Sequence, residues 1–311
     1  MLTVAIAGGT GHLGLAFVEL LIQNPKYRVV ILSRKAPDSE GRAPAPVAQV
    51  DYADIEATAR LLESNAVHTI VSALDLKTAE GSAAESNLVA ASAKSGTTRR
   101  FMASDWAVPI SPDPALHTPQ NTHRLKTTSS LSKTDLEWTC LHVGQIADYL
   151  GTPHLPSHMG VYALQVDMPH ATAAIPGSGD DLISFTYSRD IARFVEAALG
   201  LERWEREMWC YGDVRSLGEV VGLAEGVRGV KFTVTHDSVE MLEQGKMTEL
   251  PSHRKLYPIV GKEALQKRIS TFGLYTVKGL LHLPKEGSLN SLFLHIKTMT
   301  VPEIVGFWKG K

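Results

Sequence analysis

Cysteine is scarce in this chain: 311 residues hold two, Cys140 and Cys210, too few for a disulfide framework, and neither lies in a CxxC or Cys/His spacing suited to a metal. A reducing, cytoplasmic setting is the expectation, with no metal site. Long apolar runs are missing too. None reaches the roughly 18 uninterrupted residues of a membrane span, and the first run has no basic leader and is cut short by glycines, so neither a spanning helix nor a signal peptide is expected. Charge of one sign is also lacking. Lys and Arg number 31 against 33 Asp and Glu, a formal net charge of -2, with no long block of either sign. Such balance gives no electrostatic footprint for nucleic acid or an anionic membrane, which leaves small molecules as the expected partners. There is no GxSxG elbow for a serine hydrolase, since "AASAKSG" lacks the pattern. No internal repeat and no low-complexity segment occurs.

What is present is an ordinary globular composition, 44% hydrophobic and 21% charged, enough for one large domain or two modest ones. Over the first 150 residues, short β-branched runs alternate with longer amphipathic stretches. Strands are predicted at Thr3 to Ala7, Arg28 to Leu32, Ala48 to Val50, Thr69 to Ser72, Arg100 to Ala103 and Glu137 to Val143, with helices starting near His12, Ile55, Glu80 and Thr122. Fully apolar strands such as "HTIVSAL" suit a parallel sheet covered on both faces. The alternation predicts a doubly wound α/β fold. Beyond Tyr149 the pattern is less regular, with loops at 151 to 160 and 175 to 181. "ISFTYSRDIARFVEAALG" looks like a strand feeding a helix, "EMWCYGD" and "KFTVTH" look like strands, and "SLNSLFLHIKTM" carries a helical apolar stripe. The expected division is a nucleotide-binding domain over 1–150 and a smaller, substrate-binding C-terminal lobe over 151–311. Elements at about 183–215 are expected to return to the first domain.

The first predicted strand runs into "AGGTGHLG". Glycines at Gly8, Gly11 and Gly14, between a strand and a helix, permit a tight turn, close approach of backbone to a pyrophosphate and close packing of helix on strand; the helix N-terminus adds donors and a positive dipole end. This is the pattern of a Rossmann dinucleotide site, with Thr10, His12 and Leu13 beside the glycines. A free ribose 2′-hydroxyl is normally met by Asp or Glu at the tip of the second strand, and a 2′-phosphate by arginine. Here the tip reads Ser33, Arg34, Lys35, two cations and no carboxylate. NADPH is the expected cofactor, with Asp51 facing the adenine and Ala73, Leu74 and Ser104 at the next strand ends.

The GxxGxxG spacing points toward short-chain dehydrogenase relatives, whose Tyr-x-x-x-Lys pair is absent. Thr122 stands four residues before Lys126, while Tyr275 and Lys278 are one residue too close. The chain resembles the atypical short-chain dehydrogenases of NmrA-like and isoflavone reductase type, which include the phenylcoumaran benzylic ether reductases. The carriers are "AGGTGHLG", the "SRK" tip, "ESNLVAASAKSGTTRRFMASDWA" (85 to 107), Lys126 ahead of "LEWTCLHVGQIADYL", and "ISFTYSRDIARFVEAAL". Arg100, Phe101, Ser104, Asp105 and Trp106 match the family's third motif, with Ala107 in place of glycine, and Ile146 stands where members often carry Phe. The resemblance covers roughly residues 1 to 240. It implies a lysine at Lys126 acting near the nicotinamide, as a general base or as a cation beside a developing oxyanion. Lys133, seven residues on, is its natural control.

A hydride acceptor is expected beyond the C-terminal ends of the strands. Substrate contacts are expected from Trp106, an aromatic wall with an indole donor, from Gln145, both donor and acceptor, and from Tyr149. His123 and His142 are expected to be structural. The reading favoured by Lys126 is an NADPH-dependent reductase of a small aromatic or polyketide-like metabolite. Two alternatives keep the fold: a dinucleotide sensor that regulates a protein partner, and a redox-neutral isomerase. The oligomeric state is not specified by the sequence.

Overall fold

A computed structural model describes residues 1–36 and 43–311. In chain order its elements are β1 (Leu2–Ala7), α1 (His12–Leu21), β2 (Tyr27–Ser33), β3 (Val47–Gln49), α2 (Ile55–Ser64), β4 (Val67–Ser72), α3 (Ala79–Lys94), β5 (Arg100–Met102), α4 (Pro119–Leu131) and β6 (Glu137–His142). They continue with β7 (Gln145–Ile146), β8 (Val166–Asp167), β9 (Thr172–Pro176), β10 (Leu182–Thr186), α5 (Ser188–Leu199), β11 (Glu207–Trp209), β12 (Asp213–Ser216), α6 (Leu217–Arg228) and β13 (Thr233–Asp237). The last are α7 (Val239–Glu243), α8 (Tyr257–Val260), α9 (Lys262–Val277), α10 (Leu289–Leu292) and α11 (Val301–Gly306). The chain divides into two compact units. The first takes Met1–Trp106, Pro119–His142 and Ala192–Met208, and the second takes Ala107–Thr118, Val143–Ile191 and Trp209–Lys311.

The first unit is built on a seven-stranded sheet of order β11-β6-β5-β4-β1-β2-β3. Each neighbouring pair from β3 through β6 is parallel. Its strands are apolar on both faces because both are covered: Val4, Ala5, Ile6 and Ala7 are fully buried, as are Ile70 and Val71. The chain starts in the middle at β1, winds out through β2 to β3, and returns to the other side of β1 at β4. That reversal opens a crevice beyond the carboxyl ends of β1 and β4, where open α/β sheets bind ligands. Helix α1 lays Ala16, Phe17, Val18 and Leu21 into the core.

The second unit holds two three-stranded sheets, β12-β10-β7 and β13-β9-β8. Its core is filled from α6, α9 and α11 by residues such as Val220, Ala224, Leu265, Ile269 and Ile304. Helix α6 starts on a reciprocal cap between Ser216 and Glu219 and stops at Gly229 in the left-handed region. The stripe in "SLNSLFLHIKTM" makes only the four-residue α10, which corrects the longer helix expected there. Only Leu289 is buried, Leu292 and Leu294 are exposed, and Asn290 ties the turn down by bonding both backbone groups of Tyr211. Among the described residues no helix is long and apolar enough to cross a membrane.

Candidate functional site

In the first unit the glycines form the turn from β1 into α1. Gly8 has φ of +77°, and a methyl group on it would lie 2.7 Å from the Ala73 carbonyl oxygen at the end of β4. Gly11 N–H donates to Gly8 O at 2.9 Å and Gly11 occupies the N-cap of α1. A methyl on Gly14 would overlap the Gly8 carbonyl oxygen, so helix and turn touch at that point. Thr10, Gly11 and His12 are exposed and Leu13 is half-buried. No side chain caps α1 and no acidic residue stands in its first turn. A glycine cradle and an uncapped helix start suit a dinucleotide pyrophosphate, whose charge the amides and the helix dipole would meet.

The other nucleotide-facing candidates lie at the same edge, because β1, β2, β3, β4 and β5 are adjacent and parallel. At the tip of β2, Ser33 is buried while Arg34 and Lys35 are exposed; the Arg34 carbonyl accepts from Gln49 Nε2 at 3.3 Å and Ser33 Oγ from Lys35 N–H at 3.1 Å. Past β3, the exposed Asp51 accepts from Ala53 N–H at 2.9 Å. At the end of β4, Ala73 N–H donates to Ala7 O at 2.8 Å, and the Leu74 carbonyl accepts from Ser104 Oγ at 2.8 Å.

Helix α4 is held by its buried face. Asn121, Arg124, Thr127 and Leu131 point inward at helical spacing. Arg124 pairs with buried Asp105, and Thr127 Oγ1 donates to Glu85 on α3 at 3.3 Å. Lys126 is therefore on the exposed side, sharing a face with His123 three residues earlier. The His123 Nδ1 lies 2.7 Å from the Leu76 carbonyl, in the loop that leaves β4. Lys126 thus stands one helical turn from a contact with the loop that also carries Ala73 and Leu74. Lys133 lies in the turn beyond the end of α4. The Trp106 indole N–H is committed to Ser72 O at 3.0 Å and its ring packs on Phe17 with centroids 4.7 Å apart. Tyr275, in the second unit, gives its hydroxyl to Leu116 O at 2.8 Å. His142 is buried and burial lowers its pKa, with the Asp105 carboxylate opposing.

Glu85 is a site residue that sequence reasoning missed. It is fully buried, and its Oε1 accepts from Ser104 N–H at 2.7 Å. Burial pushes its pKa up from 4.5 to about 7, against the bonds from Ser104, Ser72 and Thr127, while the Asp105 charge adds to the rise. The signal was in the spacing: Glu85 shares the buried stripe of α3 with Ser82, Leu88, Val89 and Ser92. Because the fold favours the neutral carboxyl, this contribution to stability is complete below pH 4.5 and is lost as pH rises through about 7, a swing of about 3 kcal/mol. Glu85→Gln, a neutral isostere, is expected to raise Tm over the parent at about pH 8 and to lose that advantage at about pH 5. A gap independent of pH in thermal melts would count against a buried titrating carboxyl.

In the second unit, Gln145 is buried on β7, and its Nε2 meets Gln165 Oε1 at 3.4 Å. Tyr149 is half-buried, with its ring edge-on to Tyr162 at 5.3 Å between centroids. The segment between them is pinned by Asp148, which the sequence analysis did not single out. Its carboxylate accepts from Ser188 N–H at 2.8 Å and Ser188 Oγ at 2.6 Å, at the start of α5, and from Ser157 Oγ.

Comparison with known proteins fits this geometry. The model of a family described as NAD(P)H-binding matches residues 8–157. A protein named oxidoreductase BOA1, from Botryotinia fuckeliana, is 32% identical over 264 residues, covering 85% of this chain and 86% of that relative. One named oxidoreductase swnN, from Metarhizium robertsii, is 27% identical over 328 aligned residues, covering 97% of this chain and 96% of its own. Among solved structures, the binary complex of leucoanthocyanidin reductase with NADPH from Vitis vinifera has a TM-score of 0.74 at 17% identity, over 98% of each chain, a likeness of fold. The chain belongs to the same family of oxidoreductases as BOA1, and its residues 8–157 match the NAD(P)H-binding model.

Proposed function

We propose that the protein is an NADPH-dependent reductase of a small aromatic or polyketide-like metabolite, with the first unit holding the cofactor and the second contributing substrate contacts. The observation that carries this reading is Lys126, exposed on the α4 face that His123 fixes against the loop leaving β4. NADPH, when bound, supplies the hydride. Gly8, Thr10, Gly11, His12, Leu13 and Gly14 receive its pyrophosphate, and Arg34 and Lys35 its 2′-phosphate. Asp51, Ala73, Leu74 and Ser104 border the remainder. Lys126 would present an ammonium to the substrate oxygen on which negative charge develops, whether the substrate is a carbonyl, an activated double bond or a quinone methide, so its charge would be felt most in the transition state. Within the first unit Trp106 is the candidate for substrate contact, by its ring because its N–H is engaged, and within the second unit Gln145 and Tyr149 are the candidates.

The cofactor half of the reading is tested by fluorescence titration with NADPH and NADH. A guanidinium gripping a phosphate in a charge-assisted bond is worth about 1.5–3 kcal/mol, so NADPH is expected to bind about tenfold or more tighter. Arg34→Ala is expected to remove most of that difference. Equal affinities in the parent would remove the argument from the β2 tip.

A further inference from the structure

In the second unit, two short segments lie side by side. Gln145 touches Gln165 at one end, and four residues on, Tyr149 meets Tyr162 at the other. Both glutamines are at least 95% buried, yet Gln145 Oε1 and Gln165 Nε2 have no hydrogen-bond partner among the described residues. An unmet buried polar group costs about 1–3 kcal/mol, so this pair of amide atoms marks a place where something polar completes the bonding.

Arg268, on α9, supplies the charge. Its guanidinium carbon lies 5.2 Å from the Tyr162 ring centroid, and among the described residues no carboxylate forms an ion pair with it. Burial raises the pKa of both tyrosines, that of Tyr149 to about 12; the Arg268 charge opposes the rise in each, and a bond from Arg268 to the Tyr162 hydroxyl opposes it further there. Tyr149, Tyr162 and Arg268 are half-buried and not sealed in the core. An arginine held against an aromatic ring without an acid, beside a second ring and next to unmet amide groups, is complementary to a planar, conjugated acid.

We propose that Arg268, with Tyr149, Tyr162, Gln145 and Gln165, forms a subsite for the carboxylate end of a conjugated or aromatic acid. The proposal rests on the reading of the second unit as substrate-binding and names the chemical class of that substrate. The guanidinium pairs with the carboxylate through two parallel bonds, the tyrosine rings cover the π system, and the glutamine amides bond further oxygens of the molecule.

The test is calorimetric titration of the NADPH-saturated protein with trans-4-hydroxycinnamate and with its methyl ester, two probes of the same ring system that differ in charge. The acid is expected to bind about tenfold or more tighter than the ester. Arg268→Gln is expected to abolish that preference with Tm nearly unchanged, and Arg268→Lys to retain part of it through the remaining charge. Equal binding of acid and ester, no saturable binding of the acid, or a preference that survives in Arg268→Gln would each overturn the subsite. Because binding is read without turnover, a protein that never oxidises NADPH would sink the reductase reading and leave this ratio to decide the subsite on its own.

Discussion

Lys126→Ala is expected to lower kcat about 10²- to 10³-fold while leaving the NADPH dissociation constant nearly unchanged, the loss that follows when one preorganised donor to a developing oxyanion is removed. The split between kcat and cofactor affinity is the point of the experiment. A lysine that only bound the cofactor would raise Kd, and a lysine that only solvated α4 would change neither. Lys126→Arg keeps a cation but widens and lengthens it, so partial activity is expected. Lys133→Ala is the control: it lies beyond the end of α4 and is expected to behave as the parent. Stopped-flow and steady-state kinetics on the four proteins separate these cases, and a fully active Lys126→Ala would end the assignment.

The second large effect belongs to the glycine turn, where two substitutions of the same chemistry are expected to fail differently. In Gly14→Ala the new methyl overlaps the Gly8 carbonyl oxygen and lies 2.9 Å from its carbon and 3.0 Å from the Gly9 Cα, all backbone that moves only if the turn moves. Overpacking of this kind costs about 1–3 kcal/mol, so thermal melts are expected to show a clear loss of Tm together with loss of NADPH binding. Gly11→Ala is milder in the fold: its φ is -87°, the residue is exposed, and the added methyl meets only Gly8 O at 3.2 Å. There the fold is expected to survive while NADPH affinity falls at least about tenfold, because a methyl stands where backbone must approach the pyrophosphate. If Gly11→Ala binds NADPH normally, Gly11 is a packing glycine and the cradle is misassigned.

The elements of the first unit were legible because parallel strands buried on both faces are written as unbroken apolar runs. "TVAIA" and "VVIL" have few other readings, and the helices between them start within about three residues of the expected positions. Glu85 was not legible to a reading that treats charge as surface. Its spacing puts it on the buried stripe of α3, and what makes a carboxyl tolerable there is that Ser72, Ser104 and Thr127, from outside α3, converge on it. Lys126 is the reverse case. Sequence and resemblance singled it out, but the direction it faces depends on Arg124 and Thr127 locking the opposite side of α4, a tertiary fact that spacing within the helix does not contain.

The second unit was harder for a different reason. Strands β7 and β8 are two residues each, too short for any period to register, and they exist because neighbours fix them: β7 pairs with β10 and β8 with β9. The apolar stripe after Ser288 failed as a helix because Leu292 and Leu294 find no partner surface and Asn290 is spent on the Tyr211 backbone. Arg268 illustrates the same limit at a candidate site. In the sequence it is one of several charges on a helix, and only its place over the Tyr162 ring, itself packed on Tyr149, gives it a use.

The most direct measurement follows a hydride. The purified protein is incubated with NADPH deuterated at C4 and with a panel of aromatic and polyketide-like ketones, enones and quinone methides, and products are read by mass spectrometry. At least one member is expected to gain a single deuterium, in step with loss of NADPH absorbance, and Lys126→Ala is expected to suppress both. NADPH that binds tightly yet is never consumed across the panel, with a protein partner retained instead, would contradict the account and favour a sensor.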